Sequence, residues 1–571
     1  MNRREFVRGS AWVAAGSLAA DRLRAATALD AMANKAADAG ERSFHCDDAG
    51  LMRVYEAALR TLAGNVVRVA GYREPVLVEG SVYHGVWLEC GPQEGLVYCE
   101  TGTATARAAA RNNQRIFFAL QKEDGQLPCF VRAGTPVTHA AGAHSRTGGA
   151  VKGKASGGKA HAVTAAVRGG GPGFGQIQMV VPVAATAWEL VQQTGDDELL
   201  HMAYGACVRW DAWLRKYRDM RGTGLCEGFC TWDTGMDNSP RWAGMPNACP
   251  DGDARKCPEV AGLPRLCPDL SATVYGGRVA LAAMARALGK TSEADRWNEA
   301  AQAIRQLIEE RLFDPETGAF YDVDAGGRFV RVRSVATLRV LGERVVGQEL
   351  FETVWKKQVH NTAAFWAPYP FPSEALNDPT FVRPIPRNSW GGAAQALTAL
   401  RAPRWMEAYG KPAELAWMMQ QWVNALSQAG VFDQQMDPMT GEFTAGDPGG
   451  YSPAALVYVD FLWRLWGVRA EGELLEWSVR APSDNGRADF ALPVEGRTAE
   501  LRYQDGKAEL RMGGRLIAEV EGVVRLVTTR GGEVREAVGI GDVEGTVTVG
   551  MPGRAAKKIR MRPNARVRVE G

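Results

Sequence analysis

The spacing of apolar residues changes once along this chain, and that change limits its architecture more than any other feature. From residue 48 to about residue 467 the apolar positions recur three and four apart, the period of helices with one buried stripe. Segments 48–63, 102–120, 177–194, 197–217, 272–288, 292–312, 390–409, 412–429 and 453–466 all read this way. The first opens on Asp48, an acid suited to a helix N-terminus, and carries Leu51, Val54, Tyr55, Ala58 and Leu59 on one face. The connections are rich in Gly, Pro, Asp and Asn. Two of them, Asp314 to Phe320 and Asp437 to Phe443, share the pattern Asp-Pro-x-Thr-Gly-x-Phe, a tight turn pinned by proline and glycine. That recurrence points to a repeating helical hairpin. From about residue 474 the period falls to two, with Gly-Gly and Asp-Gly turns, which predicts an all-β unit, sandwich-like and accessory, over residues 474–571.

Three other stretches bear on location. Arg3 and Arg4 precede Phe6, a short apolar run follows, and Ala26-Thr27-Ala28 offers a small-x-small cleavage site. This reads as a twin-arginine signal over residues 1–28, an address rather than an anchor, because about 12 apolar residues cannot span a bilayer. The expected destination is the periplasm or the medium, with no membrane anchor once the signal is removed. Residues 134–172 hold almost no large apolar side chain and read as a flexible insertion in a helical body spanning 45–470. The ten cysteines suit an oxidising compartment, and five fall between Cys226 and Cys267. Their spacings match no zinc module, so loop-stapling disulfides are expected, and no metal or cofactor. A net charge of +2 gives no reason to expect nucleic acid as a partner.

The segment with the most chemistry is Trp232-Asp233-Thr234-Gly235-Met236-Asp237-Asn238-Ser239-Pro240-Arg241-Trp242. It is turn-rich, so its two carboxylates sit on a loop. Splitting a glycosidic bond needs a carboxylic acid to protonate the leaving oxygen and a carboxylate opposite it. Flanking tryptophans can desolvate a carboxyl and keep its proton on near neutrality. Taken alone, the same residues could make a structural turn network.

This segment resembles the signature of glycoside hydrolase families 63 and 37, which include processing α-glucosidases, mannosylglycerate hydrolases and trehalases. In these families a Trp-Asp/Glu-Ser-Gly-x-Asp-x-Ser-x-Arg-Trp run supplies the general acid from its second carboxylate, which falls on Asp237. Two further stretches are similar: Gly195-Asp196-Asp197 before a helix with Trp213-Leu214, and Arg387-Asn388-Ser389-Trp390-Gly391-Gly392, where the families have a sugar-site loop. The resemblance implies a mainly α fold, an (α/α)6 barrel or six-hairpin toroid, here followed by the all-β domain. It also implies an inverting hydrolase acting on a terminal, α-linked sugar of an oligosaccharide or glycoside. Trp232, Asp233, Arg241, Trp242, Asn388 and Trp390 would line the sugar subsite.

The chain departs from the families at the general base. Their Glu-x-Tyr-Asp-Pro-x-Thr-Gly segment aligns with Gln434-Gln435-Met436-Asp437-Pro438-Met439-Thr440-Gly441, so the expected glutamate is Gln434, which cannot take a proton from water. Three readings remain open. Asp433, Glu442 or Asp437 nearby serves as base; a carboxylate from elsewhere, such as Glu227 or Asp233, does so; or the protein binds sugar without cleaving it. A polysaccharide lyase is a lesser alternative, with Tyr369 and Tyr451 the tyrosines near these motifs. Trp366 to Pro372 reads equally as a sugar-cleft wall and as a rigid structural loop. Glu89-Cys90-Gly91 precedes a helix and could reach the barrel mouth, though a disulfide-stapled connection is the simpler reading.

Overall fold

Inner and outer helices of a toroid differ in how much of their circumference is apolar, and that difference organises this structure. The computed structural model describes residues 40–134, 170–444, 449–480 and 486–569. The expected signal at 1–28 and nearly all of the 134–172 insertion lie outside the described residues. Twelve α-helices occur among the described residues. In the first half they are α1 (Ala49–Gly64), α2 (Gly91–Cys99), α3 (Ala104–Ala119), α4 (Val183–Thr194), α5 (Asp197–Tyr217) and α6 (Pro268–Ala287). In the second half they are α7 (Thr291–Arg311), α8 (Ala336–Gly342), α9 (Gln348–Val354), α10 (Ala396–Met406), α11 (Pro412–Ala429) and α12 (Ser452–Leu465). Each of α2, α4, α6, α8 and α10 packs against the next even-numbered helix, and α12 packs back on α2. That closed cycle of six is the inner ring of an (α/α)6 barrel.

The burial of each helix follows from its place. Inner helices α10 and α12 bury almost every residue, so their sequences are apolar or small all round. Outer helix α7 buries only Ala294, Ala301, Ile304 and Ile308, one stripe at helical spacing. Asp48 caps α1, accepting the backbone N–H groups of Gly50 and Leu51, and Asp196 caps α5 through Leu199 N–H. Two expected helices start later than their apolar pattern does. α4 begins at Val183 and α10 at Ala396, because residues 177–182 and 390–395 run as loop and short strand at the barrel mouth.

The β part is two antiparallel sheets of seven and five strands. The five-stranded sheet starts at Gly467–Glu471, directly after α12, and pairs with Leu474–Val479. The seven-stranded sheet takes its edge from the other end of the chain: Ser43–Cys46 pairs with Ala488–Val494 in register Ser43↔Ala491 to Cys46↔Ala488. Arg525 in this part makes a bidentate pair at 2.9 and 2.8 Å with Glu407 beyond α10, which ties sandwich to barrel. No helix of the described residues is long and apolar enough to cross a membrane. The ten cysteines, all among the described residues, are free thiols here, so the expected staples are not formed in this structure.

Candidate active site

Three segments converge at the barrel mouth, and backbone geometry dictates where they meet. The first is the loop 231–242, where a 3₁₀ turn Thr231–Thr234 ends on Gly235 in the left-handed region (φ 61°) and releases the chain toward Asp237. Glycine is required there on a second count: a Cβ on Gly235 would lie 1.6 Å from Glu89 Oε2. The second is the loop before α10, whose strand Ala394–Gln395 pairs antiparallel with Gln435–Met436 of the third. Gln435 locks this junction, its Oε1 accepting from Ser389 N–H at 2.7 Å and from Gln395 Nε2 at 2.9 Å.

Asp237 sits partly buried in this junction. Burial raises its pKa to about 6, against a smaller downward pull from the Asn388 side chain hydrogen-bonded to it. The Asn388 carbonyl in turn accepts from Asn238 Nδ2 at 3.1 Å, and the Asp237 carbonyl accepts from Trp390 N–H at 3.4 Å. Gln434 extends the chain of contacts. It donates from Nε2 to Asn388 Oδ1 at 3.2 Å and accepts from the Tyr83 hydroxyl at 2.9 Å. A hydrogen-bonded line therefore runs Tyr83, Gln434, Asn388, Asp237. The glutamine at the position where the resembled families carry a base holds the partner of the acid.

A second carboxyl lies against the loop that carries Asp237, at Gly235. Glu89, on the residues leading into α2, is buried, and desolvation raises its pKa to about 7. The charges of Arg401 and Arg339 and a 3.1 Å hydrogen bond from Gln178 Nε2 draw it back down, while Asp237 adds an upward push. Glu374 lies behind the acid loop. It accepts from Ser239 Oγ at 3.2 Å and from Thr380 Oγ1 at 3.1 Å, and burial lifts it to about 8.

The other expected site residues separate by role. Asn388 touches Asp237 directly. Trp390 and Trp242 are buried; Arg339 lies 5.3 Å over the Trp390 ring, and Trp242 Nε1 donates to Thr234 Oγ1 at 3.0 Å. Trp232 is partly exposed beside Phe229. Asp233 and Arg241 are committed elsewhere. Asp233 is buried in a bidentate pair with Arg218 and accepts backbone N–H groups from Ile177, Phe229 and Cys230. Arg241 places Nε, Nη1 and Nη2 on Asp322 and Asp269 at 2.5 to 2.8 Å and Nη1 also on Met236 Sδ, which occupies its five N–H donors and leaves none for a sugar hydroxyl. Both residues build the loop rather than the subsite.

Around the expected base, Asp433 is buried beside Gln434, whereas Glu442 is exposed. Asp437 pairs with Arg383 at 3.1 Å. Glu227 is buried, held by Arg221 Nε at 2.6 Å and Met220 N–H at 2.8 Å. Trp366 stacks on Trp417 at 5.2 Å in an outer aromatic cluster, and Tyr369 covers the turn at Gly441. Glu89 and Tyr83 carry no motif of their own. The signal for Glu89 was its place just before a proline-started helix.

Among the described residues three buried groups have metal-ligand proximity: Cys230 with Asp233 and Cys249, Glu79 with Cys90 and Glu94, and Cys267 with Asp269 and Asp322. Arg218 and Arg241 already supply the positive charge in the first and third.

The raised carboxyls have a consequence for stability. Glu89, Glu94 and Glu343 at about 7, Glu374 at about 8 and Asp237 at about 6 keep protons that the unfolded chain, titrating at 3.8 to 4.5, has released. Between those pH values the folded state binds more protons, so stability falls as pH rises. The melting temperature is expected to drop steadily from pH 5 to pH 8.5, and a profile rising over that window would contradict these assignments.

A six-hairpin toroid with a desolvated aspartic acid on a loop at its mouth is an arrangement able to protonate a glycosidic oxygen. The model of the mannosylglycerate hydrolase MGH1-like glycoside hydrolase domain matches residues 97–454, and the chain belongs to that family. Mannosylglycerate hydrolases MGH1 and MGH2 of Selaginella moellendorffii are each 36% identical over 66 residues, 11% of this chain. That stretch spans 14% of either relative's length. Among solved structures, a family 63 mannosylglycerate hydrolase from Thermus thermophilus, in complex with glucose, is 20% identical with a TM-score of 0.52, covering 72% of this chain and 99% of its own. A sialidase reaches a TM-score of 0.58 at 15% identity over 85% of this chain, which spans 41% of that protein. At these identities the likeness concerns the fold.

Proposed function

We propose that this protein is an exported, inverting glycosidase that removes a terminal, α-linked sugar, with Asp237 as general acid and Glu89 as general base. The observation that carries this is the meeting of Glu89 with the loop that bears the acid: a Cβ on Gly235, two residues before Asp237, would lie 1.6 Å from Glu89 Oε2, and desolvation raises both carboxyls, Asp237 to about 6 and Glu89 to about 7. Asp237 gives its proton to the glycosidic oxygen as the bond to the anomeric carbon breaks. Water attacks that carbon from the opposite face and loses a proton to Glu89. Proton exchange with solvent then resets the pair. Asn388 holds Asp237, and Gln434 holds Asn388 through its amide, a task that needs no charge. Export rests on the paired Arg3 and Arg4, and the α linkage on family resemblance.

The test compares Glu89→Gln with Asp433→Asn and Glu442→Gln. Glu89→Gln is expected to cut turnover about 10² to 10⁴-fold on natural and activated substrates alike, because water must lose a proton whatever group leaves. The other two are expected to stay near wild type. Loss in Asp433→Asn with Glu89→Gln active would move the base to Asp433. The pH profile supplies a second check. With the acid at about 6 and the base at about 7 the competent form is the minority of the two singly protonated states. A narrow bell is expected, with limbs at about 6 and about 7. Sugar binding with no product at any pH would favour a silent binding protein.

A further inference from the structure

The loop that carries Asp237 starts and finishes on a pair of cysteines, and we propose that Cys230 and Cys249 form a disulfide that staples its two ends. Their sulfurs lie 3.8 Å apart and both residues are buried. The two legs of the loop already run side by side. Thr231 N–H bonds the Pro246 carbonyl at 3.0 Å and Trp232 N–H bonds the Asn247 carbonyl at 3.1 Å, so the segments next to the two cysteines are already held together. The pair belongs to a small apolar cluster with Phe229, set apart from the main core, and the partly exposed Cys257 packs against it. A thiol at the edge gives an exchange partner a route to the buried pair.

Asp233 completes a potential metal triad with these cysteines. The position a cation would take already faces the Arg218 guanidinium, which clamps Asp233 and places Nη2 3.7 Å from Cys249 Sγ. A metal would have to bind against a fixed, buried positive charge with a carboxylate already bonded, which disfavours it. A covalent bond between the two sulfurs adds no charge.

The oxidant is a small disulfide such as oxidised glutathione. One thiolate of the pair attacks it, releasing one glutathione thiol and forming a mixed disulfide. The second cysteine then attacks the protein sulfur, and the other glutathione leaves as thiol. The protein gives up two electrons and two protons, and the sulfurs move from 3.8 Å to about 2 Å.

The test equilibrates the intact protein with a glutathione redox buffer, then denatures it with iodoacetamide and no reductant before digestion and mass measurement. The expected product is a linked peptide pair containing Cys230 and Cys249, split by later reduction. Closing a loop of about 20 residues limits the unfolded chain, so the oxidised protein is expected to melt a few degrees above the reduced one. Cys249→Ser should abolish that difference. Complete alkylation of both cysteines before reduction overturns the proposal, as does linkage of Cys249 to Cys257. Stoichiometric zinc in the purified protein, with both thiols shielded by it, overturns it in favour of the metal. None of these readouts depends on glycosidase activity, so failure here leaves the assignment of Asp237 untouched.

Discussion

Asp237→Asn is expected to slow hydrolysis of an unactivated glycoside by about 10² to 10⁴-fold and to spare an activated aryl glycoside. The asymmetry follows from what the acid does. A poor alkoxide leaves only when protonated, whereas a nitrophenolate leaves without help. Asparagine keeps the volume and can still bond the Asn388 side chain, so the loop geometry survives while the proton is lost. A variant that misfolded would lose both activities in proportion. The size of the effect is tied to the environment, because desolvation lifts Asp237 to about 6 and keeps it partly protonated where an exposed aspartate would not be. Initial rates on a paired natural and aryl substrate, with melting temperature as control, decide the matter. Full activity of Asp237→Asn on the natural substrate would end the acid assignment.

The large amphipathic helices were legible in the sequence because each outer helix has to show a stripe. The inner ring was legible only in part. α2 reads Gly-Pro-Gln-Glu-Gly-Leu-Val-Tyr-Cys and buries eight of its nine residues, so it offers no polar face to set a period against. α8, and the outer helix α9 that follows it, have seven residues each, too short for a pattern. The edge strand Ser43–Cys46 was hidden for another reason, since its partner lies more than 400 residues away. In the site, Asp237 and Asn388 stood in motifs and came together. Asp233 and Arg241 stood in the same motif and are consumed in building it, a distinction that depends on Arg218, Asp269 and Asp322 arriving from distant segments. Glu89 was visible as a residue near the mouth, but its proximity to Asp237 comes from the meeting of two segments nearly 150 positions apart, which no local spacing encodes.

Arg241→Leu is expected to be the most destabilising single change in the loop, costing about 3 to 5 kcal/mol. The side chain is 2% exposed and sits between Asp269 and Asp322, themselves at 2% or less. Burial alone would push Asp269 up; the Arg241 charge and hydrogen bonds, with a contribution from Arg339, hold it at about 2 instead. Removing the guanidinium leaves two buried carboxylates facing each other, and one of them has to take up a proton or draw in water. Arg241→Lys keeps the charge but loses the fork that serves both acids, so it should fall between the two. A sugar-binding arginine would behave otherwise, with KM rising and the urea midpoint unchanged. For Arg241→Leu the urea midpoint should drop sharply. Adding Asp322→Asn to it should recover part of the loss, because one of the two stranded charges is then gone. An unchanged midpoint in Arg241→Leu, with a raised KM, would return this residue to the subsite.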